Sequence, residues 1–383
     1  MIPTWKRTCA MDISATCTLE CPKCLRQAYL KKGQKIHAAL ALGATTYNKK
    51  ENLEIITSIS KIPGGDMTVN QFDKLSDYFT GFSFCGQISD PIFNPNLIDF
   101  LKICKEKKKS AFVQTAASHK PEKWWSEAFN ANINARWMFG IDGLPYESFL
   151  YRKNQDGEKL FNMMLLAKSK GIRCVWQYIV FSYNENHIEE AADLAIKHHL
   201  NLRLMSSARW NDSKNKVDPL KPKNPKWWTV RPWESRETKK MNKFKDKPKP
   251  DREESFKPKC LLTDRQPTFT ATGYIVPCCW VDNPWAWKNP KIKEFYNPKW
   301  HIDKHDSVTD IMQGKNFNDW WEMLKKKPKE APDICKKFCG SSIKDKVTKD
   351  DTYVVTATDI KRLKKNTDFT KKHKFITKGE IKK

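Results

Sequence analysis

Short apolar runs alternate with longer amphipathic segments from residue 9 to about residue 210. The apolar runs have the length of β-strands and predict six of them, at residues 9–14, 82–86, 110–118, 134–143, 172–181 and 202–208. The segments between them place apolar residues at helical spacing and predict helices at residues 25–43, 68–79, 95–109, 157–171 and 186–200. Strands separated by such helices favour a parallel sheet. We therefore expect an α/β fold, a partial (β/α)6 barrel with its active-site loops at the carboxyl ends of the strands.

Changes in composition divide the chain into four parts. Residues 1–210 hold the predicted barrel, and residues 211–259 are rich in Lys and Pro, which predicts a linker or a loop that wraps the barrel. Residues 260–340 carry five cysteines and predict a smaller domain. Residues 341–383 form a basic tail with one strand-like patch, TYVVTAT.

Two of these parts contain further local patterns. In the linker, Trp227, Trp228 and Trp233 are expected to anchor the segment to a protein surface, although stacking on a nucleic-acid base is the alternative. The smaller domain shows a strand–turn–strand pattern with Gly273 at its turn, followed by an amphipathic helix at residues 307–324.

The length of 383 residues is enough for one large domain and a small one. No run of about eighteen apolar residues occurs, and the amino-terminal residues lack the pattern of a secretory signal. We therefore expect a cytoplasmic protein without a membrane partner. In that reducing compartment, the twelve cysteines are expected to be metal ligands or buried thiols rather than disulfides.

The balance of charge is strongly basic, with 70 Lys and Arg against 44 Asp and Glu and a net charge of +26. Such a field attracts nucleic acid and other polyanions. Much of the excess, however, lies in residues 245–252, residues 106–109 and the tail after residue 340, rather than on one face of one element. Nucleic acid is therefore an open but not a favoured partner.

Three cysteines lie directly after the first predicted strand, in the sequence ATCTLECPKCLRQ at residues 15–27. Cys17, Cys21 and Cys24 form a C-x3-C-x2-C pattern. Each of the four irons in a cubane cluster takes one further ligand, so three thiolates leave one iron with an open position. Half of a zinc site is the alternative, for which His37 is the only nearby fourth ligand.

The pattern after a first strand resembles the signature of the radical S-adenosylmethionine (SAM) superfamily. The resemblance implies that Cys17, Cys21 and Cys24 hold a [4Fe-4S] cluster whose open iron chelates the amino and carboxylate groups of SAM. It implies that an electron from the cluster cleaves SAM to methionine and a 5′-deoxyadenosyl radical, which abstracts a hydrogen atom from the substrate. Lys23 departs from the aromatic residue common between the second and third cysteines of the family.

Downstream motifs extend the resemblance over about 200 residues and imply contacts with SAM. The sequence ISDPIFNP at residues 88–95 stands where the family usually has Gly-Gly-Glu-Pro. This match implies that Asp90 receives the SAM ammonium, with Ser89 beside it. Thr115 matches the end of the third strand, where Ala116 replaces the usual Asn.

Two further matches follow the fourth and fifth strands. Gly140 stands where relatives have a Ser that contacts SAM, so only its backbone is available, and Arg152 has the spacing of their Arg. A guanidinium binds a carboxylate with two parallel hydrogen bonds, which suits the methionyl end of SAM. Asn184 occupies another recurrent polar position of the family.

The second set of cysteines resembles the C-terminal SPASM or shorter twitch extension of radical SAM enzymes. The resemblance implies an auxiliary [4Fe-4S] cluster, with Cys279 as a rival to Cys278 because the two are adjacent. A structural zinc site on the same thiols is the alternative. The predicted ligands are Cys260, Cys278, Cys335 and Cys339.

The resemblance implies a radical SAM enzyme that acts on a peptide or protein side chain, with a flavodoxin or ferredoxin type of electron donor. A nucleotide, sugar, RNA or other small-molecule substrate is the alternative within the family. A zinc-stabilised basic nucleic-acid-binding protein is the alternative from another class. No residue in the sequence identifies the substrate or a catalytic residue.

Overall fold

In the computed structural model of this chain, the described residues are 8–30, 64–207, 210, 216–228, 258–262, 266–282, 286, 289–339 and 353–355. Six parallel strands form the centre of the fold and pair with one another in chain order. Their bounds are β1 Thr8–Met11, β2 Gly81–Phe84, β3 Ser110–Thr115, β4 Arg136–Gly140, β5 Arg173–Ile179 and β6 Asn201–Met205. The predicted α/β fold with a parallel sheet is confirmed.

The helices of this half are α1 Leu25–Leu30, α2 Val69–Tyr78, α3 Leu97–Glu106, α4 Glu122–Ala131, α5 Gly157–Ser169 and α6 Ile188–Lys197. Local chemistry determines several of their ends. Thr68 and Gln71 form a reciprocal capping box at the start of α2. Asp156 caps α5, and Gly171, with φ of +79°, follows its end in the left-handed conformation that glycine favours.

Helix α4 was not among the predicted helices, and its apolar face explains why it forms. Trp125, Ala128 and Phe129 lie three and four positions apart and are fully buried. The ring of Trp137 in β4 lies 5.9 Å from Trp125 and 5.1 Å from Phe129, between ring centroids. The signal was therefore present in the sequence, within a segment predicted as a connection between two strands.

The sequential order of the six strands determines where the helices lie. When each parallel strand pairs with the next one in the chain, crossovers of one hand place all the helices on the same face of the sheet. Neighbouring helices α2, α3, α4 and α5 accordingly pack side by side. The strands β1 and β6 do not pair with each other, so the sheet remains open, as in a partial barrel. All six carboxyl ends meet at one rim, which we call the barrel mouth.

The second half of the chain extends the sheet beyond β1. Strand β7, Thr268–Phe269, pairs parallel with β1, and β8, Ile275–Val276, pairs antiparallel with β7. Gly273, with φ of +85°, lies in the predicted turn between them. At the opposite edge, β9, Tyr353–Val355, pairs antiparallel with β6 and falls within the predicted strand-like patch.

Helix α7, Lys259–Leu262, precedes the β7–β8 hairpin, and short helices follow the hairpin. The predicted helix at residues 307–324 is divided at Gly314 into two helices. None of the helices that the structure describes is long and apolar enough to cross a membrane. The remaining helices are α8 Pro290–Lys293, α9 Val308–Met312, α10 Lys315–Lys326 and α11 Asp333–Cys339.

Candidate cofactor-binding sites

The three cysteines of the C-x3-C-x2-C pattern lie in the loop between β1 and α1, at the barrel mouth. The side chain of Cys21 is buried, whereas Cys17 and Cys24 are partly exposed. The backbone N–H of Cys24 donates to the carbonyl of Cys21, which closes a turn around the second and third cysteines. Burial raises the pKa of the Cys17 thiol, and the negative charges of Asp90, Cys24 and Cys21 raise it further. Cys17 therefore lies close enough to the other two thiols for their charges to raise its pKa.

Arg152 brings a positive charge to this loop from the connection between β4 and α5. Its Nη1 lies 3.8 Å from the Sγ of Cys21, and its Nε donates to Asp142 Oδ2 at 2.7 Å. Burial raises the pKa of Cys21 to about 11, and the Arg152 guanidinium opposes that rise. A cation held against a thiol by a buried carboxylate favours the thiolate form, which is the form that binds iron.

Gly140 leaves the space that the guanidinium occupies. A β-carbon at this position would lie 3.3 Å from Arg152 Nη2 and 3.2 Å from the β-carbon of Ala116, which is tight packing. The side-chain amide of Gln155 donates to the carbonyl oxygens of both Ala116 and Gly140. The two departures from the family pattern, Ala116 and Gly140, are thus neighbours in one packed region. Gln155 was missed because no pattern in the sequence distinguishes it.

The Asp90 carboxylate is buried and is surrounded by donors from the protein. One oxygen accepts from Thr115 Oγ1 and the backbone N–H of Ile92, and the other accepts from the N–H groups of Ala116 and Ala117. Four donors use all of the acceptor positions that a carboxylate offers. Burial raises the pKa of Asp90, and these hydrogen bonds oppose the rise. The side chain ties the loop after β2 to the end of β3.

Ser89, Thr115 and Asn184 also make their hydrogen bonds within the protein. Ser89 Oγ donates to Asp12 Oδ1, and Thr115 Oγ1 accepts from the N–H of Ala117 while it donates to Asp90. The Asn184 side chain accepts from the N–H of Phe181 and donates to the carbonyl of Ile179, which closes the turn after β5. These three side chains therefore shape the loops of the barrel mouth.

Asp12 organises the first loop, although the sequence pattern did not identify it. The residue directly follows β1, and its Oδ2 accepts from the backbone N–H groups of Gln87 and Ile88 at 2.8 and 3.1 Å. Burial raises the pKa of Asp12, and its hydrogen bonds to Ser89, Ile88 and Gln87 oppose the rise. The predicted strand at residues 9–14 contained Asp12, whereas β1 ends at Met11, so its role in the loop was not apparent from the sequence.

Lys23, which lies between the second and third cysteines, is buried in an ion pair. Its Nζ lies 2.5 Å from Asp218 Oδ2, and the two side chains are 8% and 3% exposed. Asp218 belongs to residues 216–228, the longer of the two described parts of the predicted linker. The same segment contacts the loop after β5, where Glu185 accepts from the N–H groups of Lys223 and Asn224. This part of the linker therefore lies over the barrel mouth.

The linker tryptophans differ from one another in their surroundings. Trp227 is buried, which agrees with the predicted anchoring role, whereas Trp228 is 40% exposed and lies beneath Lys221 Nζ. Trp233 and the candidate ligand His37 lie outside the described residues, as do residues 245–252 and most of the basic tail.

Four cysteines of the second set line a single small cavity. Cys260, Cys278, Cys335 and Cys339 come from α7, the end of the hairpin and both ends of α11. Burial raises the pKa of Cys335 far above its ordinary value, and charges on the other three thiols would raise it further. The rest of the lining is apolar or aromatic and consists of Pro258, Trp280, Trp320, Leu324, Ile334 and Phe338.

Cys279 does not line this cavity, although it follows Cys278 directly. Its charge acts instead on Cys85 at the end of β2, where burial raises the thiol pKa and Cys279 and Asp12 raise it further. The side-chain amide of Gln87 also donates to the carbonyl of Cys279 at 2.6 Å. The geometry therefore groups Cys278 with the other three cysteines and leaves Cys279 facing the barrel.

The four cysteines outside these two sets are expected from their apolar surroundings in the sequence to be buried thiols, and three of them are. Cys9, Cys104 and Cys174 are buried, whereas Cys85 is partly exposed. Within the described part of the chain, no three His, Cys, Asp or Glu side chains are arranged so that they could hold one metal ion.

Asp282 follows the hairpin and carries a buried carboxyl group that is affected by the charge of Asp12 in the barrel. Its Oδ1 accepts from the hydroxyl of Tyr296 at 2.9 Å. Burial raises the pKa of Asp282 to about 7, and the negative charge of Asp12 contributes to the rise. Two carboxyl groups from the two halves of the chain are therefore electrostatically coupled.

The fold resembles solved structures at low identity. Streptococcus suis SuiB bound to precursor peptide SuiA is 12% identical with a TM-score of 0.45, over 83% of this chain and 67% of that one. Native anSMEcpe with bound AdoMet is 13% identical with a TM-score of 0.44, over 88% of each chain. TYW1 with a lysine–pyruvate adduct bound is 14% identical with a TM-score of 0.32, over 57% of this chain and 70% of that one. No protein-family model and no curated protein sequence matches the chain.

Proposed function

We propose that this chain is a radical SAM enzyme with one auxiliary iron–sulfur cluster and that it modifies a peptide or protein side chain. In this proposal, Cys17, Cys21 and Cys24 hold the SAM-binding [4Fe-4S] cluster. The auxiliary [4Fe-4S] cluster is held by four cysteines of the second half of the chain, Cys260, Cys278, Cys335 and Cys339. We further infer that the enzyme works in the reducing cytosol, where free thiols remain available as ligands.

The observation that carries the proposal is the position of the three-thiol loop. It follows β1 at the mouth of an open parallel barrel, the end at which such folds bind their ligands. Three soft thiol ligands with two of them partly exposed fit a cluster that keeps one iron open. When bound, such a cluster supplies the electron for reductive cleavage of SAM.

Residues around the three-cysteine loop support the proposed SAM site in different ways. We assign Arg152 and Gly140 to the methionyl end of SAM, and the position of the guanidinium beside Cys21 and over Gly140 supports this assignment. Asp90 has four protein donors, which favours a positioning role in the barrel mouth over capture of the SAM ammonium. Ser89, Thr115 and Asn184 belong to the same supporting network.

The four-cysteine cavity supports a closed auxiliary site. Four thiols satisfy all four irons of a cubane cluster, and the apolar lining excludes water from it. Trp280 and Phe338 stack with their ring centroids 3.7 Å apart beside the cavity. We infer that this cluster transfers electrons rather than binding substrate, and that a flavodoxin or ferredoxin supplies the external electrons.

The barrel mouth supports a substrate that enters from the rim and reaches inward. Tyr146 and Phe149, in the loop after β4, are 55% and 52% exposed at this rim, and their rings offer apolar contacts to a peptide.

Release of 5′-deoxyadenosine by the reduced, reconstituted protein tests the proposal. We expect Cys17→Ala, Cys21→Ala and Cys24→Ala each to abolish the release, because each removes one iron ligand. Cys104→Ala is the matched control, since this thiol is buried between α3 and the sheet, and it should keep the activity of the parent. Turnover that persists in Cys24→Ala would contradict the ligand assignment.

A further inference from the structure

The rings of Trp280 and Phe338 stack beside the four-cysteine cavity and join two of the segments that carry its thiols. Trp280 lies in the short helix Cys279–Val281, which follows Cys278, and Phe338 lies in α11. The two ring planes are 12° from parallel, with their centroids 3.7 Å apart. Both side chains line the cavity. The stack therefore packs the end of the hairpin against α11.

Helix α11 places Phe338 beside two of the thiols. Phe338 and Cys339 lie three and four positions after Cys335. Residues at these spacings lie on the same face of a helix, and all three side chains line the cavity. The C-x3-C spacing of this segment therefore directs one aromatic ring and two thiols toward the same site.

Exposure distinguishes the stack from the rest of the cavity lining. Trp280 and Phe338 are partly exposed, and so are Cys335 and Cys339. The other lining residues are buried, namely Pro258, Cys260, Cys278, Trp320, Leu324 and Ile334. Solvent therefore approaches the cavity from the side on which the two rings stack.

We propose that the stacked rings of Trp280 and Phe338 form the solvent-side wall of the auxiliary site and slow the loss of iron from its cluster. The inference rests on the proposed function, because it needs an iron–sulfur cluster in the four-cysteine cavity. The apolar shell around a metal site controls the access of solvent to it. Two parallel rings in van der Waals contact leave no space for water between them, so removal of either ring opens a path to Cys335 and Cys339.

The test is the loss of iron to a chelator from the reconstituted full chain that carries Cys17→Ala, Cys21→Ala and Cys24→Ala, so that one cluster remains. Bathophenanthroline disulfonate under anaerobic, reducing conditions is the probe, and absorbance follows the loss. We expect Trp280→Ala and Phe338→Ala each to lose iron about tenfold faster than this background protein. Trp280→Phe keeps an aromatic face and should retain most of the protection.

Trp300→Ala is the matched control, because it removes another partly exposed, stacked indole. Trp300 lies 10° from parallel to His305, with ring centroids 5.9 Å apart, and it does not line the cavity. Its rate of iron loss should equal that of the background protein. Equal rates in the background protein and both wall variants, or the same acceleration in Trp300→Ala, would overturn the inference.

Alkylation of the same proteins without iron supplies a second measurement that needs no cluster assembly. With iodoacetamide and peptide mass spectrometry, we expect faster labelling of Cys335 and Cys339 in Trp280→Ala than in the background protein. The buried thiol of Cys104 is the reference, and its labelling should not change. Unchanged labelling of Cys335 and Cys339 would show that the stack does not cover them. Zinc in place of iron would refute the proposed function, whereas an iron cluster with unchanged rates in the variants would refute this inference alone.

Discussion

Buried ion pairs and charged contacts hold separate loops together at the barrel mouth. Lys23 reaches from the cysteine loop to Asp218, and Arg152 reaches from the loop after β4 to Cys21. Each cation meets a buried carboxylate, because an isolated charge in this environment would be strongly unfavourable. The lysine that departs from the family pattern is therefore explained by its partner in the linker.

Breaking the buried pair on one side should destabilise the protein strongly. We expect Lys23→Met to lower the free energy of unfolding by about 3–5 kcal/mol, because it leaves the Asp218 carboxylate buried without its cation. The double variant Lys23→Met/Asp218→Asn should recover most of that loss, since the asparagine oxygen still accepts from the N–H of Leu220. Urea denaturation of the three proteins measures these differences.

An exposed ion pair serves as the control for this prediction. Lys102 and Asp99 pair on the surface of α3, with side chains 54% and 48% exposed. Lys102→Met should leave the denaturation midpoint unchanged, because water screens such pairs. If Lys23→Met proves as mild as Lys102→Met, the Lys23–Asp218 pair does not hold the linker to the loop.

At the scale of elements, the hairpin β7–β8 joins the second half of the chain to β1 and brings Asp282 near Asp12. The pKa of Asp282 is raised to about 7 by burial and by Asp12, while the unfolded chain titrates near 3.8. Between these two values the native state keeps a proton that the unfolded state has already lost. The resulting stabilisation is fully present below the unfolded pKa and is lost as the pH rises from there through about 7.

Asp282→Asn should remove this part of the pH dependence. The parent protein should lose thermal stability between about pH 4 and about pH 7, because unfolding releases the Asp282 proton over this range. The asparagine variant keeps an acceptor for the Tyr296 hydroxyl and cannot ionise, so its midpoint should exceed that of the parent above this range. Thermal unfolding of both proteins under anaerobic conditions measures this. Parallel pH profiles would show that Asp282 does not carry the coupling.

The sequence predicted repeating elements well and contacts between distant residues poorly. Apolar spacing located six strands, four helices and the start of a fifth, because burial imposes a period on each element. Residues 31–43 of the helix predicted at 25–43 lie outside the described residues. Helix α4 was missed although Trp125, Ala128 and Phe129 have helical spacing. The predicted Asp90 contact illustrates the other limit, since three of its four donors come from residues 115–117, which only the parallel sheet brings beside it.

Adjacent cysteines illustrate the same distinction between local and tertiary information. Sequence alone left Cys278 and Cys279 as rivals for one ligand position. The structure places Cys278 on the four-cysteine cavity and Cys279 toward Cys85, because the backbone is extended at Cys278 and turns into a short helix at Cys279. The spacing of the first three cysteines, in contrast, lies within one loop and is fully readable from the sequence.

At the scale of the whole molecule, the two groups of cysteines belong to two halves of the chain that share one continuous sheet. Strand β1 leads into the first group, and the β7–β8 hairpin leads into the second. Under the proposed function, the barrel mouth performs the chemistry and the four-cysteine site carries electrons. The substrate remains unidentified by the sequence, because no motif specifies the groups that line the barrel mouth.

Removal of one auxiliary ligand should separate the two functions. We expect Cys335→Ala to retain part of the SAM cleavage and to lose the modified product, because the first site stays intact while the second loses an iron ligand. Parallel assays of 5′-deoxyadenosine and of product by mass spectrometry measure the two outcomes. Loss of both activities together in a protein that still binds the first cluster would contradict this division.

The central claim is that the chain holds two four-iron clusters, one of them with SAM at its open iron. Anaerobic reconstitution followed by iron and sulfide analysis, Mössbauer spectroscopy and a reductive SAM-cleavage assay on the same sample tests it most directly. We predict about eight irons per chain in two [4Fe-4S] clusters and release of 5′-deoxyadenosine that depends on the reductant. A colourless protein that binds stoichiometric zinc under strict anaerobiosis and leaves SAM intact would contradict it.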